Sequence, residues 1–229
     1  MFYEYKNSFH KIEKILDPEI FGSILGAGSQ SLVITPYSEF NVSNIENPVL
    51  IISLEKEKFD FLDLLFANSS AKVEKVNKSL LSDDYKYVVK LLESEGFSLF
   101  YCSKLESVST DDLIIEDEPF DYISDKFEQE VFSPKSVNST EVDFILESSF
   151  TEALEYMSSK VTLENSAVSK YQALSENLIT AMKESLEAVK KLDPKDSFIF
   201  DFHNEQFMQY NGKVMCVDPV LFNSEYITG

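Results

Sequence analysis

Hydrophobic positions change period along this chain, from alternation to a three-four spacing and back to alternation. Phe21 to Ile34 reads as two strands joined by a glycine turn at Gly26 and Gly28. A polar loop covers Ser38 to Asn47, and Pro48 to Leu54 is a buried strand by its β-branched content. Residues 55–68 predict a helix with Phe59, Leu62, Leu65 and Phe66 on one stripe. Residues 71–94 predict a second helix, followed by a strand from Gly96 to Cys102. Ahead of these, Phe9, Ile12, Ile15 and Leu16 fall at helical spacing before Asp17 and Pro18.

The second half is more helical. Ser139, Thr140 and Asp143 form a capping-box-like start to a segment carrying Val142, Ile145, Leu146, Phe150, Leu154 and Met157 at helical spacing. The strongest helix signal follows: Val168, Tyr171, Leu174, Leu178, Met182, Leu186 and Val189 keep the three-four spacing. Lys190 and Lys191 suit its C-terminal dipole, and Asp193 with Pro194 ends it. From Ser197 to Pro219 the pattern becomes strand, loop, short strand, tight turn, strand. The order β, then α, then β-hairpin predicts an α+β fold of two lobes. A β-rich lobe would span 1–105 and a mostly helical one 106–229, with a cleft near 103–107.

Composition narrows the function classes. Hydrophobic residues make up 44% of the 229-residue chain, with 19 Phe and 11 Tyr, which is ample for a core. The net charge is −20, every base is Lys, and Arg is absent. Nucleic-acid binders need basic density to displace counterions, so this balance argues against nucleic acid as a partner. Nine of the twenty residues in 111–130 are acidic. That stretch is a candidate contact for a partner protein with a basic surface. No apolar run is long enough to span a bilayer, and the first residues lack the pattern of a signal peptide, so the expected compartment is the cytoplasm. The two Cys and two His form no metal-ligand cluster, which speaks against a metal hydrolase.

Candidate chemistry concentrates near the C-terminus. Asp201 and Asp218 lie seventeen residues apart, one at each end of the expected hairpin. Phosphoryl-transfer enzymes of the protein-kinase class use such a layout, one Asp for the proton of the attacking hydroxyl and one for the metal on the phosphates. The glycine turn at Gly26, Gly28 and Ser29 would lay backbone N–H groups over phosphates. A strand near 97–105 would serve as an adenine-binding hinge.

These motifs (Leu25 to Ser31, Phe200 to His203, Asn211 to Val214 and Asp218 to Phe222) resemble the early-gene serine/threonine protein kinases of lytic podoviruses. The resemblance implies a protein-kinase-like two-lobed fold and ATP with Mg²⁺ as cofactors. It implies Asp201 as catalytic base, His203 as the brace of its loop, Asp218 as metal ligand, and Gly26, Gly28 and Ser29 as the phosphate-covering loop. Two departures accompany it. Gln206 stands where the family has a metal-binding Asn, and one extra methylene suits octahedral Mg²⁺ poorly. The strand that should carry the phosphate-anchoring Lys has Ile51 there, with Lys56 and Lys58 only beyond the strand. Three readings follow: a kinase-like protein with impaired or absent phosphotransfer that modulates a host protein; an active serine/threonine kinase using Lys56 or Lys58; or an acidic inhibitor or nucleic-acid mimic on an unrelated fold.

Overall fold

The computed structural model describes residues 21–27, 31–55, 57–108, 165–192, 198–200 and 206–222. The N-terminal segment, the acidic stretch 111–130 and the helix expected over 139–157 lie outside them. The chain divides into two compact units, Met1–Lys104 and Leu105–Gly229. It is a mixed α+β protein. Among the described residues, no helix is long and apolar enough to cross a membrane.

The first unit is built on a five-stranded antiparallel sheet in the order β1-β2-β3-β5-β4. Its strands are β1 (Gly22–Ala27), β2 (Ser31–Pro36), β3 (Pro48–Ser53), β4 (Val73–Lys75) and β5 (Ser98–Ser103). Helix α1 (Lys58–Phe66) follows β3, and α2 (Asp83–Ser94) lies between β4 and β5. Residues opposite one another across a sheet share a face, so the register sorts the side chains into rows. Leu32, Ile52 and Leu99 form one row, and Ile34, Leu50 and Tyr101 the next. Both enter a core with Phe21 and Phe40, closed by Val89 and Leu92 of α2. Each such fully buried side chain contributes about 1.5–3 kcal/mol. Phe21 and Phe40 meet edge-to-face at 4.6 Å.

Strand β3 is buried at all six positions, as a strand covered on both faces must be. The second face carries three rows. Ser31, Ser53 and Ser98 form the first, Val33, Ile51, Phe100 and Lys75 the second, and Val49, Cys102 and Val73 the third. Helix α1 approaches this face: Phe59 stands edge-to-face on Phe100 at 5.5 Å, and the Lys75 ammonium sits 4.7 Å from the Phe59 ring centre. The stripe of α1 is shifted from the expected one. Phe61, Leu62, Leu65 and Phe66 are its buried apolar residues, and Phe59 is half-buried.

The helix expected over 71–94 is not continuous. Val73–Lys75 pairs with β5 as an edge strand, Val73 opposite Cys102 and Lys75 opposite Phe100. A short 3-10 turn, Lys78–Leu80, follows Asn77, whose side chain accepts the Ser79 N–H. Helix α2 starts only after Ser82, whose hydroxyl accepts the Tyr85 N–H, with Asp83 and Asp84 in the first turn. It ends in a Schellman motif: the Phe97 N–H donates to the Leu92 carbonyl, and the Gly96 N–H to that of Glu93. Pairing with β5 and the Glu74 carboxylate outweigh the local helix propensity of 71–77. That carboxylate accepts from the Ser43 hydroxyl and from both the backbone and side chain of Asn44. It ties the loop after β2 to the sheet edge.

The second unit contains α3 (Asn165–Leu192), as the spacing predicts. Its strands are β6 (Glu106–Ser107), β7 (Phe198–Phe200), β8 (Phe207–Tyr210), β9 (Lys213–Cys216) and β10 (Val220–Phe222). β6, β8 and β9 form one sheet, and β7 pairs with β10 in another. Asn211 (φ 50°) and Gly212 (φ 78°) join β8 to β9 with both residues at positive φ, the backbone a two-residue hairpin requires. Leu178, Met182, Leu186 and Val189 of α3 are buried, as are Phe207, Met215 and Cys216. Helix and hairpin are joined by polar contacts too. The Ser185 hydroxyl donates to the Cys216 carbonyl, and Lys213 lies 2.8 Å from the Glu184 carboxylate.

Candidate functional site

In the first unit the candidate site is the sheet face that carries Ile51. Strand β1 reaches it through a bulge. Ile24 pairs with Ile34 and Gly26 with Val33, so Leu25 is an extra residue. Gly26 therefore extends the row of Val33, Ile51 and Phe100 toward the sheet edge. Two glycines of β1 have different reasons to be there. At Gly22 (φ +152°) an added Cβ would lie 1.8 Å from the Thr35 carbonyl oxygen, so close strand approach demands glycine. At Gly26 a Cβ would meet nothing within 4 Å. The protein's own packing does not require glycine there, and the open side leaves room for a ligand to approach the backbone. Gly28 and Ser29 lie outside the described residues.

Ile51 occupies the expected lysine position, buried between Val33 and Phe100. Beyond it the face turns polar. The Ser31 hydroxyl donates to the Ser53 hydroxyl at 2.8 Å, and the Glu55 N–H donates to that same oxygen at 3.1 Å. The Ser98 hydroxyl reaches the Ser53 and Glu55 carbonyls at 3.2 and 3.3 Å. Next to this row, Glu55 and Lys58 are both only 9% exposed, with the ammonium 3.8 Å from a Glu55 carboxylate oxygen. Burial pushes the Cys102 thiol up to about 12, and the Lys58 charge pulls against it. Lys58, anticipated only as one of two lysines beyond the strand, is turned inward. Glu55 and the serine row were missed by sequence reasoning. Their signal is three serines at inward positions, each in a strand that is otherwise apolar there.

In the second unit, Gln206 and Asp218 come together at the base of the β8–β9 hairpin. The Val217 N–H donates to the Gln206 carbonyl at 2.9 Å, one residue before Asp218. Gln206 is buried and Asp218 half-buried. Strand β7 brings the chain to the same place, since Phe200, which precedes Asp201, pairs with Val220, two residues past Asp218. Asp201 and His203 themselves lie outside the described residues. Among the described residues no three His, Cys, Asp or Glu cluster as a metal site. The chain matches no protein-family model, no curated protein and no solved structure.

Proposed function

We propose that this is a kinase-like, nucleotide-binding protein with impaired or absent phosphotransfer, which acts by binding a host protein with a basic surface. Ile51 carries the loss of transfer. Kinases place a lysine on the third strand to hold the phosphates and pair it with a glutamate of the following helix. Here that strand is buried throughout and its central residue is apolar. Losing a cation from transferring phosphates costs on the order of 10³-fold in rate. Gln206, in place of the metal-binding Asn, weakens a second metal site further.

Several features support the kinase-like half of the reading. A helix follows the third strand. A bulged first strand carries a glycine at which an added Cβ would meet no atom of the described residues within 4 Å. The strand pairing and hairpin base bracket residues 201–218. On this reading the ligand is ATP with Mg²⁺, Gly26, Gly28 and Ser29 cover its phosphates, Asp218 holds the metal, and Asp201 and His203 keep the places of base and brace. The fold would be the two-lobed kinase architecture, and the protein a viral one working in the host cytoplasm through the acidic stretch 111–130.

The test is a thermal-shift titration with ATP, with and without Mg²⁺, on wild type and Asp218→Ala. ATP at 100 times its Kd stabilises by about 2.7 kcal/mol, roughly 5–10 °C for a chain of this size. A Mg²⁺-dependent shift that Asp218→Ala loses is the expected result, and no shift refutes the nucleotide reading. Transfer at about 1–100 per second to lysate proteins, typical of kinases, would make the protein an active enzyme instead. The charge of −20 without a single Arg favours a second reading, an acidic inhibitor on an unrelated fold. Indifference to nucleotide together with competition against DNA for a host enzyme would establish it.

A further inference from the structure

Among the described residues, strand β1 is one edge of its sheet and β4 the other. The two edges differ. β4 is three residues long, follows Lys72 and carries Glu74 and Lys75. A short, charged edge resists pairing with another chain. β1 is six residues long and uncharged, and residues 20–38 as a whole hold no charge in a chain that is 26% charged. Its apolar side chains are also uncovered. Ile24 ends the row of Ile34, Leu50 and Tyr101, all fully buried, yet it is itself 47% exposed. Leu25, the extra residue of the bulge, is 50% exposed.

The backbone of this edge suits a further strand. The Tyr37 N–H donates to the Phe21 carbonyl at 2.8 Å, so that carbonyl points toward β2. Residues of an antiparallel strand alternate between sides, which aims the N–H and C=O of Gly22 and Ile24 away from β2. Pro36, opposite Gly22, has no N–H to donate and fits that alternation.

We propose that β1 pairs antiparallel with β1 of a second copy of this chain, joining the two sheets into one. Pairing about Ser23 sets each Ile24 opposite the second copy's Gly22, where no side chain obstructs it. The outward groups of Gly22 and Ile24 then exchange hydrogen bonds. Ser23 meets its counterpart as a non-hydrogen-bonded pair, with Cα atoms about 4.5 Å apart. Charge selects the same place. Two chains at −20 repel, and the charge-free hairpin is where they approach at least cost. Strand pairing alone covers less than the roughly 1,200 Å² of a stable interface, so the dimer is weak. Salt that screens the repulsion strengthens it. The interface needs no nucleotide and goes beyond the reading above.

Sedimentation equilibrium of the full chain is expected to show a reversible step from 26.2 kDa to twice that mass as concentration rises. The step should come at lower concentration in about 0.5 M salt than in about 0.05 M. Ile24 is half exposed, so Ile24→Lys should fold, as circular dichroism checks, and should stay monomeric. Cysteine substitutions read the register, since the native Cys102 and Cys216 are buried. Ser23→Cys is expected to form a disulfide between copies, because the Cα separation suits one. Oxidised glutathione takes up the electron pair and both protons. Thr35→Cys, one strand inward, should not cross-link. Wild type that remains at 26.2 kDa in high salt up to about 1 mM overturns the proposal. So does an Ile24→Lys protein that dimerises like wild type, or Thr35→Cys that cross-links as fast as Ser23→Cys. A monomer whose Gly22 and Ile24 amides resist hydrogen exchange also overturns it, since another part of the chain would then cover the edge.

Discussion

Replacing Gly22 and Gly26 one at a time by alanine separates a glycine kept for packing from one that the proposed nucleotide reading assigns to a ligand. At Gly22 the new Cβ would stand 1.8 Å from the Thr35 carbonyl oxygen and 2.7 Å from its carbon. Both are backbone atoms that no rotamer change can move. The φ of +152° adds strain of about 1–3 kcal/mol for a residue with a side chain. Relieving the overlap means lifting the start of β1 off β2, beside Phe21 of the main core. Together these put Gly22→Ala at roughly 3 kcal/mol of destabilisation or more, a Tm lower by roughly 6–12 °C for a chain of this size. At Gly26 nothing lies within 4 Å, and alanine is favoured over glycine inside a strand by roughly 0.5–1 kcal/mol. Gly26→Ala should therefore melt at or slightly above wild type. Its Cβ would fill the space a phosphate needs, so ATP should bind about tenfold more weakly, about 1.4 kcal/mol. Denaturant unfolding and calorimetric ATP titration of both variants decide the matter. Gly22→Ala within about 0.5 kcal/mol of wild type would refute the close-approach argument. Gly26→Ala that loses stability but binds ATP normally would refute the division of roles.

Three further outcomes are expected. Burial of Glu74 tends to raise its pKa, but hydrogen bonds from Asn44 and Ser43 together hold it below the ordinary 4.5. Its contribution is thus present above that value and lost as pH falls through the lowered pKa. A Tm series from pH 6 to pH 3, compared with Glu74→Gln, should show a component of acid destabilisation in wild type that the variant lacks. Ser185→Ala removes the donor to the buried Cys216 carbonyl between α3 and the hairpin, and should cost about 1–3 kcal/mol in denaturant unfolding. Cys102 and Cys216 are both buried, and Cys102 is pushed up to about 12, leaving a thiolate fraction of about 10⁻⁴ at pH 8. An aromatic disulfide reagent should react with them only after denaturation, and fast reaction of the folded protein would contradict the burial.

Some elements were written in local pattern. The stripe from Val168 to Val189 specified α3 because seven apolar positions at one spacing admit a single face. Asn211 and Gly212 specified a hairpin because few other residues tolerate positive φ at both turn positions. The run from Pro48 to Leu54 announced a buried strand, and with it the absence of a lysine at Ile51. Other features needed the assembled sheet. Residues 71–77 carry ordinary helix formers, and only the free edge of β5 made Val73–Lys75 a strand. The sequence singles out Gly26 in a glycine turn and is silent on Gly22, whose need for glycine comes from its positive φ and the nearness of Thr35. In the sequence Lys58 is only one of two lysines beyond the strand, with nothing to say which way it turns. Its inward turn toward Glu55 depends on where α1 lies on the face lined by Ile51 and Phe100. Local spacing determines which residues share a strand or helix face. Which faces meet, and which charges are buried between them, is a property of long-range pairing that no window of sequence contains.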